Sequence, residues 1–423
     1  MNLVVAEALL LQGRSHRASG LPNVRLCTIV PMDLRGIRHV LAAMLFLTGA
    51  VGSLHAQAVT QAYFAGVAYT SAAADTAKAF RYITGNLAAG GIASLDATLR
   101  REIERKALPL NIIFDQLGST HEESEATALA LAIDRESTSV DQIAGQYKIR
   151  IEIDAQALFF NFKTKQILGG YPFALEYIDL VPSAPGSGYV SNLYHNLIFG
   201  GTGRASLVSQ FIDTLQHAQV PSAAARHLRI TAVVLAPKAQ EYIHALAPEA
   251  DLNVIRDQIA QQFGEYLAAD QHVSLLPYQS NQALGGAMPE RFTEGDAYDF
   301  SIPPADYGIT ITVDGFKKLL SSRDSVSSVY LYGAFATLTV NEPLSGRVYF
   351  SQQMRQGAAK TVPATEGVTD DWAASYETLL VLFDHFARSI STPDEAWVRS
   401  SMPGSRAAQR QLLAVQELIQ SCR

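Results

Sequence analysis

Cysteine is almost absent from this sequence. Its 423 residues include only Cys27 and Cys422, which lie near opposite ends of the chain. Cys27 precedes a segment that we expect to be removed, so no disulfide can form within the mature chain and stabilise the fold. We expect Cys422 to be an inert thiol in a frayed terminus, with a disulfide between two chains as the alternative.

Basic residues are also scarce. Charged residues make up 17% of the chain, and the formal net charge is −7. Because residues 1–58 carry five arginines and two acidic residues, residues 59–423 keep 28 basic and 38 acidic residues, a net charge of −10. This charge repels phosphate groups, and no run of Lys and Arg with interleaved aromatics provides a local exception. We therefore expect no binding of nucleic acid.

No hydrophobic run is long enough to cross a membrane, but the start of the chain has the pattern of an export signal. From Met32, a basic segment is followed by an apolar stretch from Val40 to about Val51 and then by Ala56-Gln57-Ala58, which fits the A-x-A cleavage rule. A bilayer requires about 20 apolar residues, so we expect no permanent membrane span. The sequence predicts a periplasmic or secreted protein that begins at Val59, after cleavage near Ala58.

The sequence predicts five segments. Residues 1–31 are an upstream extension that we expect not to be native, because Met32 begins a complete signal; a long basic region before the signal is the alternative. Residues 32–58 are the signal peptide. With 48% hydrophobic residues, the mature chain can form packed cores, and we divide it into a first α/β unit at 59–220, a second at 226–392 and a C-terminal tail at 393–423 with one short helix.

Two long antiparallel hairpins are the most regular pattern in the mature chain. Polar and apolar residues alternate through Tyr147–Phe173 and again through Val329–Tyr349, which predicts hairpins with one covered face and, in the first, one face in water. The second hairpin follows the first at an offset of 181 residues, so that Ala155 corresponds to Ala336. Since strand, helix, strand, hairpin and helix follow in the same order in both halves, we expect an α/β (α+β) fold of two tandem units, each a mixed sheet with a long hairpin packed against helices.

The second unit resembles a known periplasmic domain. It reads as a strand ITAVVLAP, a helix IRDQIAQQFGEYLAAD, a strand HVSLLPY, a strand from ADYGITITVDGF and a hairpin with a Ser-Gly turn. This order resembles the α/β domain shared by curli-secretion lipoproteins, the amino-terminal domain of Tol-type translocation proteins and lipoprotein activators of penicillin-binding proteins. The resemblance covers residues 228–390 and, more faintly, 62–217, and it implies envelope roles through protein contacts without catalysis. Neither a lipid anchor nor pore formation is implied, because the lipobox cysteine and an extended amphipathic transmembrane hairpin are missing.

Motifs that carry catalysis or bind metals are missing as well. There is no G-x-S-x-G elbow, and the histidines of the mature chain do not have the spacing of metal ligands, so we expect no cofactor and no metal. The acidic clusters at 122–125 and 294–299 do not follow the pattern of a calcium-binding loop, and we expect them to be solvated.

A glycine-rich segment is a candidate site for an anion. Gly201, Gly203 and Arg204 precede a predicted helix, and the free N–H groups at the start of a helix can bind anions. The segment lacks the lysine and the spacing of a phosphate-binding loop. A tight turn that caps the helix is therefore the alternative.

A second candidate site lies in a stretch without periodicity, Tyr278–Phe300, between two strands of the second unit. Long loops inside a compact domain are usually functional. We predict that this stretch is a contact surface that includes Tyr278, Phe292 and Tyr298. A passive surface loop is the alternative.

Together, these patterns predict an exported, non-enzymatic binding or assembly accessory of the cell envelope, whose partner is an envelope protein or a cell-wall component. Such a module should expose an apolar patch. One alternative is an exported hydrolase with a site assembled from scattered residues, which predicts a pocket where titratable groups with shifted pKa values converge. Another is a self-associating structural protein, which predicts an uncapped edge strand. The sequence does not indicate an oligomeric state.

We predict that the exported protein begins at Val59. The full chain should be expressed in a bacterial host, and the protein recovered from the periplasm or medium should have the intact mass of residues 59–423. An N-terminus before residue 56, or a chain retained in the cytosol, would contradict the predicted signal.

Overall fold

The alternating segments of the sequence form two mixed sheets packed with helices, which confirms the predicted α/β class. The computed structural model describes residues 61–423 except for 71–75, 89–90, 115–126, 144, 202–203, 223, 279–285, 293–296 and 365–368. The predicted signal and the acidic cluster at 122–125 lie outside the described residues.

The first sheet contains the strands of the first unit. They are β1 (Gln61–Tyr69), β2 (Asn111–Ile113), β3 (Thr127–Ile143), β4 (Gln146–Asn161) and β5 (Gln166–Val181). The strand order is β2-β1-β3-β4-β5. Strand β1 is parallel to both of its neighbours, β2 and β3, whereas β4 is antiparallel to both of its neighbours, β3 and β5. A hairpin of β7 (Gly286–Phe292) and β8 (Ala297–Ile302) extends the sheet from β5 and pairs again with β1.

The second sheet has four strands in the order β11-β10-β9-β6. They are β6 (Leu228–Leu235), β9 (Tyr307–Arg323), β10 (Ser327–Glu342) and β11 (Arg347–Pro363), with β6 parallel to β9. The segment predicted as a strand at His272–Tyr278 makes only isolated bridges: Leu275 pairs with Gly170 of the first sheet, and Leu276 pairs with Arg229 of the second. This segment therefore connects the two sheets.

Helices pack on both sheets. After the short α1 (Thr76–Ala79), the described helices that share an apolar core with one face of the first sheet are α2 (Arg81–Leu87), α3 (Gly91–Arg105), α4 (Ser187–Phe199) and α5 (Leu207–Leu215). Those that share a core with the second sheet are α6 (Pro237–Leu246), α7 (Leu252–Gln271), α8 (Asp371–Ser391), α9 (Glu395–Ser401) and α10 (Ser405–Gln420). Asp251 and Asp370 cap α7 and α8 by accepting hydrogen bonds from backbone N–H groups of the first turn.

The two sheets repeat one topology. The order β1-β3-β4-β5 corresponds to β6-β9-β10-β11, with a parallel first pair in each. The pairing register shifts at 159–160 in the first hairpin and at 340–341 in the second, which is the predicted offset of 181 residues. The turn residues Lys165 and Gly346, at the same offset, both have positive φ. Local geometry therefore supports the duplication that the residue pattern predicted.

The hairpin face predicted to lie in water is buried in the first unit. Glu152, Asp154 and Gln156 of β4 are only 4%, 2% and 5% exposed. Helices of the second unit cover this face: Gln258 of α7 donates a 2.9 Å hydrogen bond to Glu152. The prediction was wrong because alternation identifies the polar side of a hairpin but not the later segment that covers it.

The C-terminal residues form part of the second core. Trp397 of α9, Leu412 of α10 and Cys422 pack into it. The expectation that Cys422 lies in a frayed terminus is wrong, and burial raises the pKa of its thiol to about 12, which makes it unreactive. Residues 59–423 group into one compact body. The predicted boundaries of the two α/β units, at residues 220 and 226, stay predictions.

Phe263→Ala should destabilise the protein by about 3 to 5 kcal/mol, because it leaves a cavity between α7 and α8. The Phe263 ring is buried, and its centroid lies 5.3 and 6.0 Å from those of Phe383 and Phe386. Urea unfolding measures the change. Leu344→Ala is the control, since Leu344 is 88% exposed and its loss should cost less than about 0.5 kcal/mol. Equal effects of the two substitutions would contradict the packing.

Candidate functional site

A polar cavity lies between the first sheet and the elements of the second unit that cover it. Its volume is about 270 Å³. We call it the interunit cavity. The first unit contributes polar side chains of β3 and β4, and the second contributes α7 and the connecting segment; the polar lining is Thr70, Asp134, Arg135, Asp154, Gln156, Asp257, Gln261 and Tyr278.

A bulge in β3 brings two charged residues to the cavity. The pairing of β3 with β4 skips Asp134, because Ile133 is opposite Ala155 and Arg135 is opposite Asp154. An extra residue of this kind interrupts the alternation of side chains, so that Asp134 and Arg135 both line the cavity although they are neighbours in sequence.

Two glycines make room for this arrangement. A Cβ atom at Gly170 of β5 would clash with the side chain of Gln156, whose amide nitrogen donates to both oxygens of Asp134 at 2.9 and 3.0 Å. A Cβ atom at Gly264 of α7 would lie only 3.3 Å from Leu275 and Pro172. Glycine at these positions allows the helix and the amide to approach β5 closely.

Arg135 is the central cation of the site. Its Nη2 lies 2.5 Å from Oδ2 of Asp154 and 3.0 Å from Oε1 of Glu152. Two buried atoms of this group have neither a hydrogen bond nor an ion pair among the described residues: Nη1 of Arg135 and Oδ1 of Asp154. Both residues line the cavity, so its lining side chains include one unsatisfied donor and one unsatisfied acceptor.

Burial keeps several carboxyl groups of the site partly or fully protonated near neutral pH. Desolvation raises the pKa of Asp134 to about 7, although hydrogen bonds from Gln156 and Thr70 and the charge of Arg135 oppose the change. Desolvation also raises the pKa of Asp154, against the attraction of Arg135. Glu265 of α7 does not line the cavity, but desolvation raises its pKa to about 8, with the charges of Asp154 and Glu152 adding to the effect. A cluster of this kind can bind or release protons in the neutral range.

Only one residue of the predicted contact surface lines the cavity among the residues that the structure describes. Tyr278 does so, and burial raises the pKa of its hydroxyl. Tyr298 lies in a different apolar cluster, where its ring packs against Phe162 and the ammonium of Lys165 is 3.7 Å from its centroid. The backbone of Phe292 pairs with β1, and its side chain lies outside the described residues.

The interpretation of Tyr278–Phe300 as a stretch without periodic structure is wrong for most of its second half. That part forms β7 and the beginning of β8, which pair with the first sheet. Pro289 and the glycines in this stretch obscure the strand pattern in the sequence. That it serves as a contact surface stays a prediction.

The glycine-rich candidate site has a local structural role in the described residues. Ser206 caps α5 in a reciprocal arrangement with Ser209, which uses backbone N–H groups at the start of the helix. The guanidinium of Arg204 lies over the ring of Tyr177, 4.7 Å from its centroid. Gly201 is described, whereas Gly203 is not. These contacts favour the alternative of a turn that caps the helix.

The described residues contain neither a metal-binding cluster nor a helix that could span a membrane. In this part of the chain, no group of three or more His, Cys, Asp or Glu side chains has a geometry that could hold a metal ion. None of the helices described here combines the length and apolar character needed to cross a bilayer.

Comparison with known proteins does not identify a family. No family model matches the chain, and no curated protein is significantly similar to it.

The charged residues of the cavity were missed because they looked solvated. Glu152, Asp154 and Gln156 alternate with buried residues on β4, which is the usual pattern of a strand with one face in water. The sequence of α7 did contain a signal. Gln258, Gln261 and Glu265 are spaced three and four residues apart and form a polar stripe, and the same helix also has an apolar stripe. A helix with such a stripe can pack against a polar sheet face.

Asp134→Asn should reduce the pH dependence of stability. Because the pKa of this acid rises from 3.8 to about 7 on folding, the parent protein loses stability as pH increases from about 4 to about 7. The amide of asparagine does not titrate. Between about pH 5 and pH 8, the free energy of unfolding should therefore fall by roughly 2 to 3 kcal/mol less in the variant than in the parent. Urea unfolding at the two pH values measures this difference.

Asp314→Asn is the matched control for this experiment. Asp314 occupies the corresponding bulge of β9 and accepts a 2.9 Å hydrogen bond from Thr337, but it does not line the interunit cavity. Its substitution should leave the difference between the two pH values unchanged. An Asp134→Asn variant with the same pH profile as the parent would contradict the raised pKa of Asp134.

Proposed function

We propose that the interunit cavity binds a small polar molecule that carries a positive charge, and that the chain, once exported, acts as a binding accessory of the cell envelope. The observation that carries this proposal is a pair of unsatisfied buried atoms in two residues that line the cavity, Oδ1 of Asp154 and Nη1 of Arg135. Buried polar atoms nearly always have hydrogen-bond partners, and a ligand with one donor and one acceptor would satisfy both.

The charges of the cavity favour a cationic ligand. Three carboxyl groups, those of Asp134, Asp154 and Asp257, line it beside the guanidinium of Arg135. A bound cation would stabilise the ionised carboxylates and offset part of their desolvation. Among the described residues that line the cavity, a phosphate or a carboxylate would find as a cationic partner only Arg135, which already pairs with Glu152 and Asp154.

The shape of the cavity limits the size and class of this ligand. About 270 Å³ lies just below the usual range of pockets for drug-sized molecules, which begins near 300 Å³. One side is polar, and the other consists of apolar side chains that include Ile230, Leu275 and Pro277. Such a lining suits a single amino sugar, which has a positive amino group, hydroxyl groups at its edge and apolar C–H groups on its ring faces.

Acid–base hydrolysis is a second candidate function. Asp134 and Asp154 interact electrostatically, and desolvation raises the pKa of both. Near neutral pH such a pair can hold one proton, so that one carboxyl acts as an acid while the other acts as a base. This observation favours the alternative of an exported hydrolase whose site is assembled from distant residues.

Calorimetric titration of the mature chain with glucosamine and with glucose tests the proposal. At about pH 6 an amino group is protonated. We expect glucosamine to bind at least about tenfold more tightly than glucose, because only glucosamine provides a charge-assisted hydrogen bond to the carboxylates. Binding should also release protons, since a cation lowers the pKa of nearby carboxyl groups.

Two variants complete this test. Asp154→Asn should weaken the binding of glucosamine by about tenfold or more, while Asp314→Asn, at the bulge of the second sheet, should leave it unchanged. Equal binding of both sugars, or of neither, would contradict the proposal. Release of a chromogenic group from an amino-sugar conjugate, lost in Asp154→Asn, would instead identify the chain as a hydrolase.

A further inference from the structure

The second sheet extends beyond the helices that cover it. Burial alternates along the first part of β9, but all five residues from Leu319 to Arg323 are exposed, so both faces of the strand lie in water there. Residues 357–361 of β11, which lie at the same end of the sheet on the other side of β10, are also exposed. We call residues 317–331 and 355–363 the distal end of the second sheet.

Apolar side chains are exposed at this distal end. Leu319 and Leu320 are 48% and 50% exposed, Leu331 is 42% exposed, and Val326, at the turn between β9 and β10, is 73% exposed. The ring of Tyr330 belongs to the same end, with the ammonium of Lys318 4.1 Å from its centroid. A cluster of exposed apolar residues on a projecting hairpin is typical of a surface that binds a partner.

The charge of the distal end is opposite to that of the rest of the chain. It contains one acid, Asp324, and five cations, which are Lys317, Lys318, Arg323, Arg355 and Lys360. The carboxylate of Asp324 accepts hydrogen bonds from two backbone N–H groups of the turn, at 2.8 and 2.7 Å. Lys318 pairs with Asp371 at the start of α8. The charge of Lys360 acts in turn on Asp370. With Asp324, Asp370 and Asp371 set against the five cations, a net charge of +2 remains, in contrast to the net charge of −10 of residues 59–423.

We infer that the distal end of the second sheet docks on the surface of an anionic lipid bilayer. Apolar side chains at a projecting turn can enter the interfacial region, while flanking Lys and Arg side chains contact acidic headgroups. Tyr330 is of a residue type that is enriched at that interface. The corresponding end of the first sheet exposes Ile178 and Leu180 but carries Asp141 and Asp179, so charge complementarity selects the second sheet.

Sedimentation of the mature chain with lipid vesicles tests this inference. We expect binding to vesicles of phosphatidylethanolamine with phosphatidylglycerol and much weaker binding to vesicles of phosphatidylcholine alone. Added salt should weaken the binding, because it screens the charges. The double variant Lys317→Gln and Lys360→Gln should bind roughly 25-fold more weakly, at about fivefold for each cation removed.

Val326→Asp tests the apolar contribution, and it should also reduce binding, since it places an acid at the turn that faces the lipid. Leu344→Asp is the matched control, because Leu344 is exposed in the turn between β10 and β11, at the opposite end of the same sheet. It should leave binding unchanged. Thermal unfolding of each variant verifies that it is folded. Absence of binding to the anionic vesicles, or equal effects of Val326→Asp and Leu344→Asp, would overturn the inference.

Discussion

The burial of a charged sheet face between the two units is the constraint on which the rest of the structure depends. Glu152 and Asp154 lose nearly all contact with water, and Arg135 compensates them by pairing with both. Removing charges from water is costly unless they find partners, so an arrangement of the units that separated these side chains would be disfavoured. Lys148 of β4 and Asp370 at the start of α8 add a 2.7 Å ion pair across the same boundary. The polar contacts thus set the position of the second unit on the first.

The same layer explains the cavity and its chemistry. A purely apolar boundary would close by packing, whereas charged side chains that must keep their partners leave space between the sheet and α7. Low solvation in that space shifts the carboxyl groups towards their protonated forms, as it does for Asp134 and Asp154. Our proposal of a cationic ligand follows from these two properties together: a cavity with unsatisfied polar atoms, and carboxyl groups whose charge a cation would stabilise.

The sequence was most informative where a pattern is local. Alternation identified β4 and β10, and the offset of 181 residues between them reappears in the register shifts of the two hairpins. Alternation did not identify β3, because its apolar first half continues into a polar run from Asp134. The sequence also could not show that α7 covers β4, since the two elements are about 100 residues apart. The cavity depends on such contacts between distant segments. Its residues were therefore visible in the sequence only as ordinary polar positions.

A double-mutant cycle between Glu152 and Gln258 tests most directly whether the second unit covers the charged face of the first. The two side chains are joined by a 2.9 Å hydrogen bond between β4 and α7. Unfolding free energies of the two alanine variants and of the double variant should be non-additive, with a coupling of about 1 kcal/mol, because the two side chains share one hydrogen bond that either single substitution removes. Additivity within about 0.3 kcal/mol would contradict the arrangement of the two units.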